Sequence, residues 1–599
     1  MPVYRSDQAQ VTFAAEAGHG GYPETATTVT DGAGTQVATI NMLTGCPAGT
    51  RQITVDGLSG ITTGEYIQIG SAATEETEVR RVEYVDGSTG LTLDAPTAFY
   101  HPDNDAIKVV TAVDDVDADK FITWIPGVYE TVDVPDPEMA IEGRYLLGTN
   151  QKRNFYVAYK GQQTFQGSIG GFILLNGWPL RFPIGHVNSI PEGGHSAGTT
   201  SIDGDYTDTD ADGTASINGA RKGDVWINVD SASGIAPGNL ITIGYNASPT
   251  ATTKSEIRRI TAENGNNIRL NYPLHFDHAD NTAIGLITEA SVTNYRHDIF
   301  EAVDLDTISW NVHMRDSSET AAKDFNRRYF GGHAAAMTIS ADEGGLLTAG
   351  WDTVTFQDMV HNQKLSVAYD TDGSHAGSIP NDAALPGFTF MQPIDADNIG
   401  VPLGTYDGSG TAFTDFEAKG FPSTEPYYFS QGSLQMFGVE FARVRSFNIS
   451  ISNGEEPRYY IGNQGKGTRR HRGPTEIREQ QREYSMSATV TLPDAHTAAT
   501  NTARTIFSEL LLEGDYANNH ESSSMTGFNI VLTFTRGAND NIQISIPDDG
   551  NAEAGGGEQG AFIRSAPHSL TGDNPLQTDV DILFRNMKIK ILDSEPFYP

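Results

Sequence analysis

Two stretches of this chain are copies of each other, and nothing else in the sequence limits its architecture as much. The first reads ITVDGLSGITTGEYIQIG … EVRRVEYVDGSTGLTLDAPTAFYHPDNDAIKVV, and the second INVDSASGIAPGNLITIG … EIRRITAENGNNIRLNYPLHFDHADNTAIGLI. Val55, Asp56, Ser59, Gly60, Ile61, Gly64 and Gly70 align with Val229, Asp230, Ser233, Gly234, Ile235, Gly238 and Gly244. Further on, Arg80 and Arg81 align with Arg258 and Arg259, and His101, Asp103 and Asn104 with His278, Asp280 and Asn281. Self-similarity of this kind marks one structural unit used twice. Short apolar runs broken by glycine turns predict, for each copy, a small β-barrel or sandwich of about five or six strands.

The remainder also reads as β. Alternating runs occur at ARVRSFNISI (442–451), YSMSATVTL (484–492), FNIVLTFT (528–535), NIQISIP (541–547) and VDILFRNMKIKIL (580–592). One segment differs: Ala499, Ala503, Ile506, Phe507, Leu510 and Leu511 fall at helical spacing. With Asp494 or Thr497 as cap and Gly514 as stop, they predict a helix over 496–513 lying on a sheet. The chain divides into a first repeat module at 49–112 and a second at 186–290 that carries a polar, acidic loop. A loop-rich insertion follows at 341–429. A discontinuous core is left at 1–48, 113–185, 291–340 and 430–599. The expected fold class is mainly β, with a sandwich or barrel core, one flanking helix and two homologous modules.

Composition restricts function. A formal charge of −38 and a pI near 4.6 argue against sequence-independent nucleic-acid binding by the whole surface, since phosphates would be repelled. The excess of Asp and Glu and the shortage of Lys resemble proteins of high-salt cytoplasm. There a Debye length of about 3 Å in molar salt screens self-repulsion. The single cysteine, Cys46, excludes an intramolecular disulfide framework. The first residues show no basic and apolar leader, so synthesis in the cytoplasm without a standard export signal is expected. No run approaches the ~18 apolar residues of a membrane span.

Local motifs are weak by the chemistry they would need. GHSAG (194–198) has the spacing of a nucleophile elbow at Ser196, but its polar flanks predict a loop rather than a strand-to-helix turn. DTDADG places Asp208, Asp210 and Asp212 at alternate positions before Gly213, as in the opening of a Ca²⁺ loop. Asp203 and Asp205 stand nearby, yet Gly219 occupies the twelfth position, where a bidentate Glu belongs. These aspartates are the candidate Ca²⁺ or Mg²⁺ ligands, against the simpler reading of a hydrated acidic loop. No other cofactor is implied. His101 with Asp103, and His278 with Asp280, read as turns satisfied by Asp and Asn side chains rather than as paired ligand sites. There is no zinc spacing, P-loop or dinucleotide fingerprint, and no catalytic constellation, so the chain reads as a non-enzyme.

GKGTRRHRGPTEIREQQR (465–482) is a basic island, with six Lys and Arg against two Glu. Lys466, Arg469, Arg470, Arg472 and Arg478 could meet nucleic acid, with Tyr459 and Tyr460 upstream as stacking residues. They could equally be a solvated loop. The reading that fits the charge balance best is a subunit interface, because every other copy of this chain offers carboxylates for arginine forks.

Four stretches resemble the major tail tube protein of long-tailed viruses: VTFAAEAGHGGYPE near the start, VRSFNISISNGEEPRYYIGNQG, GPTEIREQQREYSMSATVTL, and the helix, hairpin and last strand over about 496–592. The resemblance covers 1–35, 113–185 and 430–599. It does not reach the two modules, and they make this chain far larger than such proteins usually are. It implies a β-sandwich flanked by a helix, copies closing into rings (of six), and rings stacked into a tube through which genomic DNA passes without specific binding. Other tail proteins would meet the tube ends, the modules would face outward, and the protein would reside in the virion tail of a virus of haloarchaea. A baseplate, spike or surface adhesin of a halophilic virus or archaeon is the rival expectation.

Overall fold

The structure is a computed structural model. It describes residues 9–15 and, apart from short breaks, 40–110, 126–144, 157–203, 219–314, 325–361, 425–459, 473–491, 528–548, 560–569 and 577–598. Strands dominate them. The predicted helix at 496–513 lies outside the described residues, as do Asp208, Asp210 and Asp212, and Lys466, Arg469, Arg470 and Arg472.

The core is a sandwich of two sheets. The larger runs through the strands Glu138–Arg144, Val157–Leu174, Thr348–Phe356, Phe325–Asp342, Val444–Ser452, Glu483–Thr491, Gln577–Phe584 and Phe562–Ser565, in that spatial order. The smaller takes Gly185–Glu192, Asn294–Glu301, Lys588–Asp593, Asp540–Ile546, Ile530–Gly537, Gly432–Met436 and Val439–Glu440. Period-two alternation turns Phe447, Ile449, Ile451, Met486, Ala488, Val580 and Ile582 inward from the first sheet. They meet Leu532, Phe534, Ile542, Ile544, Ile589 and Ile591 of the second. Phe447 and Phe534 touch across the layers with ring centroids 5.7 Å apart.

At one end the core is aromatic. Phe13, Trp310, Trp351, Phe172, Trp178 and Phe182 are fully buried in a chain of edge-on and stacked contacts. Burial of each such ring is worth roughly 4–6 kcal/mol on area alone. Phe13 reaches the cluster because Ala9–Ala15 pairs with Ile308–Met314, which pairs in turn with the first half of the long strand Phe325–Asp342. The second half of that strand pairs with Val444–Ser452 instead. Gly331 and Gly332 make the change possible. Gly331 has φ +63, where a Cβ would meet the Gln357 side chain at 2.8 Å, and a Cβ at Gly332 would run into the Ile308 carbonyl and the Phe356 ring.

The modules are two copies of one six-stranded sheet. In the first the order is Ile40–Asn41, Ala106–Val110, Tyr66–Ile69, Glu78–Asp86, Gly90–Leu93, Gln52–Thr54. In the second it is His195–Ser201, Ala283–Ile287, Leu240–Ile243, Glu256–Asn264, Asn267–Leu270, Trp226–Asn228. Register repeats in detail. Ile69 faces Glu78 as Ile243 faces Glu256, and a bulge falls between Val82 and Tyr84 as between Ile260 and Ala262. Asn104 (φ 67) and Asn281 (φ 62) hold the same left-handed turn, the conformation that Asn tolerates best after Gly.

Several sequence boundaries move. The first module begins at Ile40 rather than 49, because that strand completes its sheet. Gly185–Glu192 belongs to the smaller core sheet, so the second module begins at His195 rather than 186. Thr348–Phe356 and Asp358–His361 are core strands inside the segment read as an insertion from 341. GHSAG lies largely on the strand His195–Ser201, not in a loop, with the Ser196 hydroxyl donating to the Leu286 carbonyl (3.1 Å). VDILFRNMKIKIL is two strands in different sheets, with the chain crossing the sandwich at 585–587.

The two modules are attached differently. The first encloses a separate apolar cluster. The second has its own cluster, while Leu240, Ile257 and Ile287 join the main core. No helix among the described residues is long and apolar enough to cross a membrane.

Candidate functional site

The outward face of the large sheet is its most unusual surface. Register places side chains in rows across the strands. One row runs Thr348, Ser340, Asn448, Ser487, Asp581, and the next Gly350, Thr338, Ser450, Ser485, Leu583. Two more run Thr353, Ala336, Ser452, Glu483 and Asp342, Ser446, Thr489, Asp579. Apart from the exposed Leu583, these rows hold small residues, most of them polar, and carboxylates, and no lysine or arginine. The cations at their margin are already neutralised: Arg445 by Glu343 (2.9 Å) and Arg564 by Asp581 (2.7 Å).

The hydroxyls are used locally. Thr489 donates to Asp579 (2.7 Å), Thr338 to Asp352 (3.3 Å), and Ser340 and Thr348 share a bond at 3.1 Å. Partial burial pushes the Asp352 carboxyl up, and the Thr338 bond offsets part of that shift. Serine and asparagine are poor strand formers, and long side chains usually cover an open sheet face. The sheet is therefore held from its inner side, and its outer side is left smooth, short and negative. Such a face offers a polyanion no counter-charge to hold it.

The opposite face of the sandwich carries the cations. Lys588 bonds Asp298 (3.0 Å) and lies over the Phe300 ring, with Arg296 on the other oxygen of Asp298 (2.7 Å). The second module is clamped beside them. Arg181, buried on the one-turn helix Arg181–Ile184, pairs with Asp306 and donates to His275 Nε2 (2.5 Å), and Lys222 reaches Asp306 at 2.6 Å. Burial alone would raise the Asp306 carboxyl, but Arg181 and Lys222 outweigh it and hold the carboxyl below its ordinary range. Burial and the Arg181 charge hold His275 well below the usual imidazole value. Glu256 receives Arg258 (2.5 Å), His278 (2.8 Å) and the backbone of His275 and Phe276.

The repeated histidines are thus anchors bound to carboxylates, His278 to Glu256 and His101 to Asp105 (2.7 Å), while Asp103 and Asp280 are exposed. Among the described residues no group of three or more His, Cys, Asp or Glu is arranged to hold a metal.

Of the predicted interface cations, Arg478 is described. It sits exposed on Glu476–Arg478, opposite Glu456, and its Nε lies 3.3 Å from its own neighbour Glu476. Within its own chain it therefore lies among acids, Glu476 beside it and Glu456 across the ribbon. Arg482, at the end of the basic island, is a buried staple. It bonds the Asn453 side chain (2.7 Å) and the carbonyls of Ile184 (3.0 Å) and Ala302 (3.2 Å). The Tyr459 hydroxyl donates to the Gln163 carbonyl (3.1 Å). Beside it a two-stranded ribbon, Glu138–Arg144 on Val157–Thr164, leaves the sandwich with Ile141 70% and Tyr159 59% exposed.

The sequence did carry a signal for the smooth face. SFNISIS and YSMSATVT place Ser, Asn or Thr between every pair of inward apolar residues. No protein-family model matches the chain, and no curated protein matches it.

Proposed function

We propose that this chain is a structural subunit that closes into rings and stacks into a tube conducting DNA, with the small polar face of the large sheet lining the conduit. That face is the observation that carries the reading. A channel for duplex DNA works when its wall has no cation to hold phosphate and no long side chain to obstruct it. The sandwich architecture is consistent with the resemblance to tail tube proteins, which implies six copies in each ring.

The main path of the large sheet ends in Glu138–Arg144 and Phe562–Ser565, which pair on one side only among the described residues, as do the branching strands Ala9–Ala15 and Asp358–His361. Joining these edges between copies would remove an aggregation-prone feature and close the sheet into a barrel. The ribbon that carries Ile141 and Tyr159 would be buried between copies. The second module, fused to the opposite side of the sandwich, would then face outward. In this reading the partners are other copies, further tail proteins at the tube ends, and DNA in transit. The protein is made in the host cytoplasm and resides in the virion tail, without enzymatic activity.

Negative-stain microscopy of the purified protein in molar salt tests this. Rings or tubes are expected. Isolated trimers or elongated monomers would replace the reading with a spike or adhesin, in which the two modules are the binding parts.

A further inference from the structure

A two-stranded stem leaves the sandwich between the strands Val444–Ser452 and Glu483–Thr491. Glu456–Arg458 pairs with Glu476–Arg478, and the chain enters through Asn453–Gly454–Glu455 and returns through 479–482. Nearly every polar group at this root is tied down. The Asn453 N–H donates to the Ala335 carbonyl (2.8 Å), and its side chain donates to Ala334 (2.7 Å) and Pro183 (3.0 Å). Arg482 holds the Asn453 Oδ1 atom (2.7 Å), Gln480 bonds Glu456 (2.6 Å), and the Leu305 N–H donates to Glu479 (2.8 Å).

Glu455 is the exception. Both its carboxyl oxygens are buried without a hydrogen-bond partner. Gly454 beside it has φ +58, a left-handed conformation at the point where the stem would pivot.

The ionisable groups around Glu455 are few. Glu479 faces it from the return segment. His333, on the strand beneath, has its Nδ1 3.6 Å from Glu479. Arg482 is committed to Asn453, Glu301 (3.3 Å) and two carbonyls. Among the described residues no cation stands against Glu455 to offset an ionised carboxylate, and burial together with the Glu479 charge favours its neutral form.

We propose that Glu455 is a proton-operated latch at the root of this stem. With its carboxyl protonated, the stem stays seated on the sandwich. Loss of that proton to solvent, beside Glu479, drives the stem off, with Gly454 as hinge and the Asn453–Arg482 staple staying in place. In sequence the stem strands flank most of the basic island, which lies outside the described residues.

Linkage fixes the form of the response. The seated state holds the proton more tightly than the open state, so seating is complete at low pH and is lost as pH rises above the ordinary carboxylate value. Each pH unit makes opening about tenfold more favourable until the seated-state value is reached. Rapid hydrogen exchange of peptides covering 453–459 and 476–482, between pH 5 and 9 and corrected for intrinsic rates, reads this directly. Wild-type protection should fall with that slope. Glu455→Gln, an isostere of the protonated acid, should stay protected at every pH, and Glu479→Gln should make the fall level off at a lower pH. A wild-type protection that does not change with pH, or a Glu455→Gln protein that follows the wild type, would overturn the latch.

Discussion

Arg478 and Arg482 are four residues apart in one basic run and do different work. Arg478 is exposed on a strand that already supplies acids, and surface pairs of that kind are worth little. Arg478→Ala should change stability by no more than about 0.5 kcal/mol. Arg482 is 11% exposed and bonds two carbonyls and an amide from three separate segments. Arg482→Ala removes three bonds at once, leaving the Ile184 carbonyl only its bond from the Ala302 N–H, and should cost about 3 kcal/mol in chemical denaturation. A similar contrast holds at the repeated turn. Asn104→Ala and Asn281→Ala should each cost about 1 kcal/mol, because a Cβ without a compensating side chain is unfavourable at positive φ, while the glycine variants should stay near wild type. The asparagines were legible in the sequence because they recur at one place in both copies. Arg482 was not, because its partners lie near residues 184, 302 and 453 and only the tertiary fold brings them together.

Strands were readable wherever one face is buried and the other is polar. The runs around 444–452, 484–491, 530–537 and 540–546 show this, since alternation is a local property of a half-exposed sheet. It gave no sign of where the chain changes neighbours or sheets. Phe325–Asp342 swaps neighbours within the large sheet at Gly331 and Gly332, and the alternating run 580–592 crosses the sandwich at 585–587. The clamp on the second module was equally hidden. Arg181 and Asp306 are far apart in sequence, and the matching positions of the first copy carry no comparable set. That clamp has a pH signature. Asp306 is held below its ordinary value, so its contribution to stability is complete above the ordinary carboxylate value and is lost as pH falls toward the depressed one. Asp306→Asn should remove this acid-sensitive component and leave Arg181 and Lys222 without their counter-charge, lowering the melting temperature at pH 7. Thermal scans from pH 3 to 7 on both proteins would check it.

At the scale of the molecule, charge is sorted between surfaces. The chain is strongly acidic, cations gather on the small sheet, at the module clamp and in the basic island, and the wide face of the large sheet has none in its rows. If that face lines a conduit, adding cations to it should make DNA stick without disturbing assembly. Ser450→Arg with Ser487→Arg alters a half-exposed and an exposed position on the outer face of the sheet, so rings should still form. Binding of duplex DNA should appear in about 0.1 M salt and fall steeply as salt rises, as counterion release requires, and filter binding would measure it. Assembly is predicted to depend on the other cation group. Reversing Arg469→Glu and Arg470→Glu together, in a segment outside the described residues, removes two of the few positive charges available to an acidic neighbour. The variant monomer should fold with wild-type stability yet sediment as a monomer in molar salt, where rings are expected of the wild type. Those contacts lie within a Debye length of about 3 Å under such conditions, so direct pairing survives screening while long-range repulsion does not. Normal rings from the reversed variant would mean that the ribbon at Ile141 and Tyr159 and the open sheet edges carry the assembly alone.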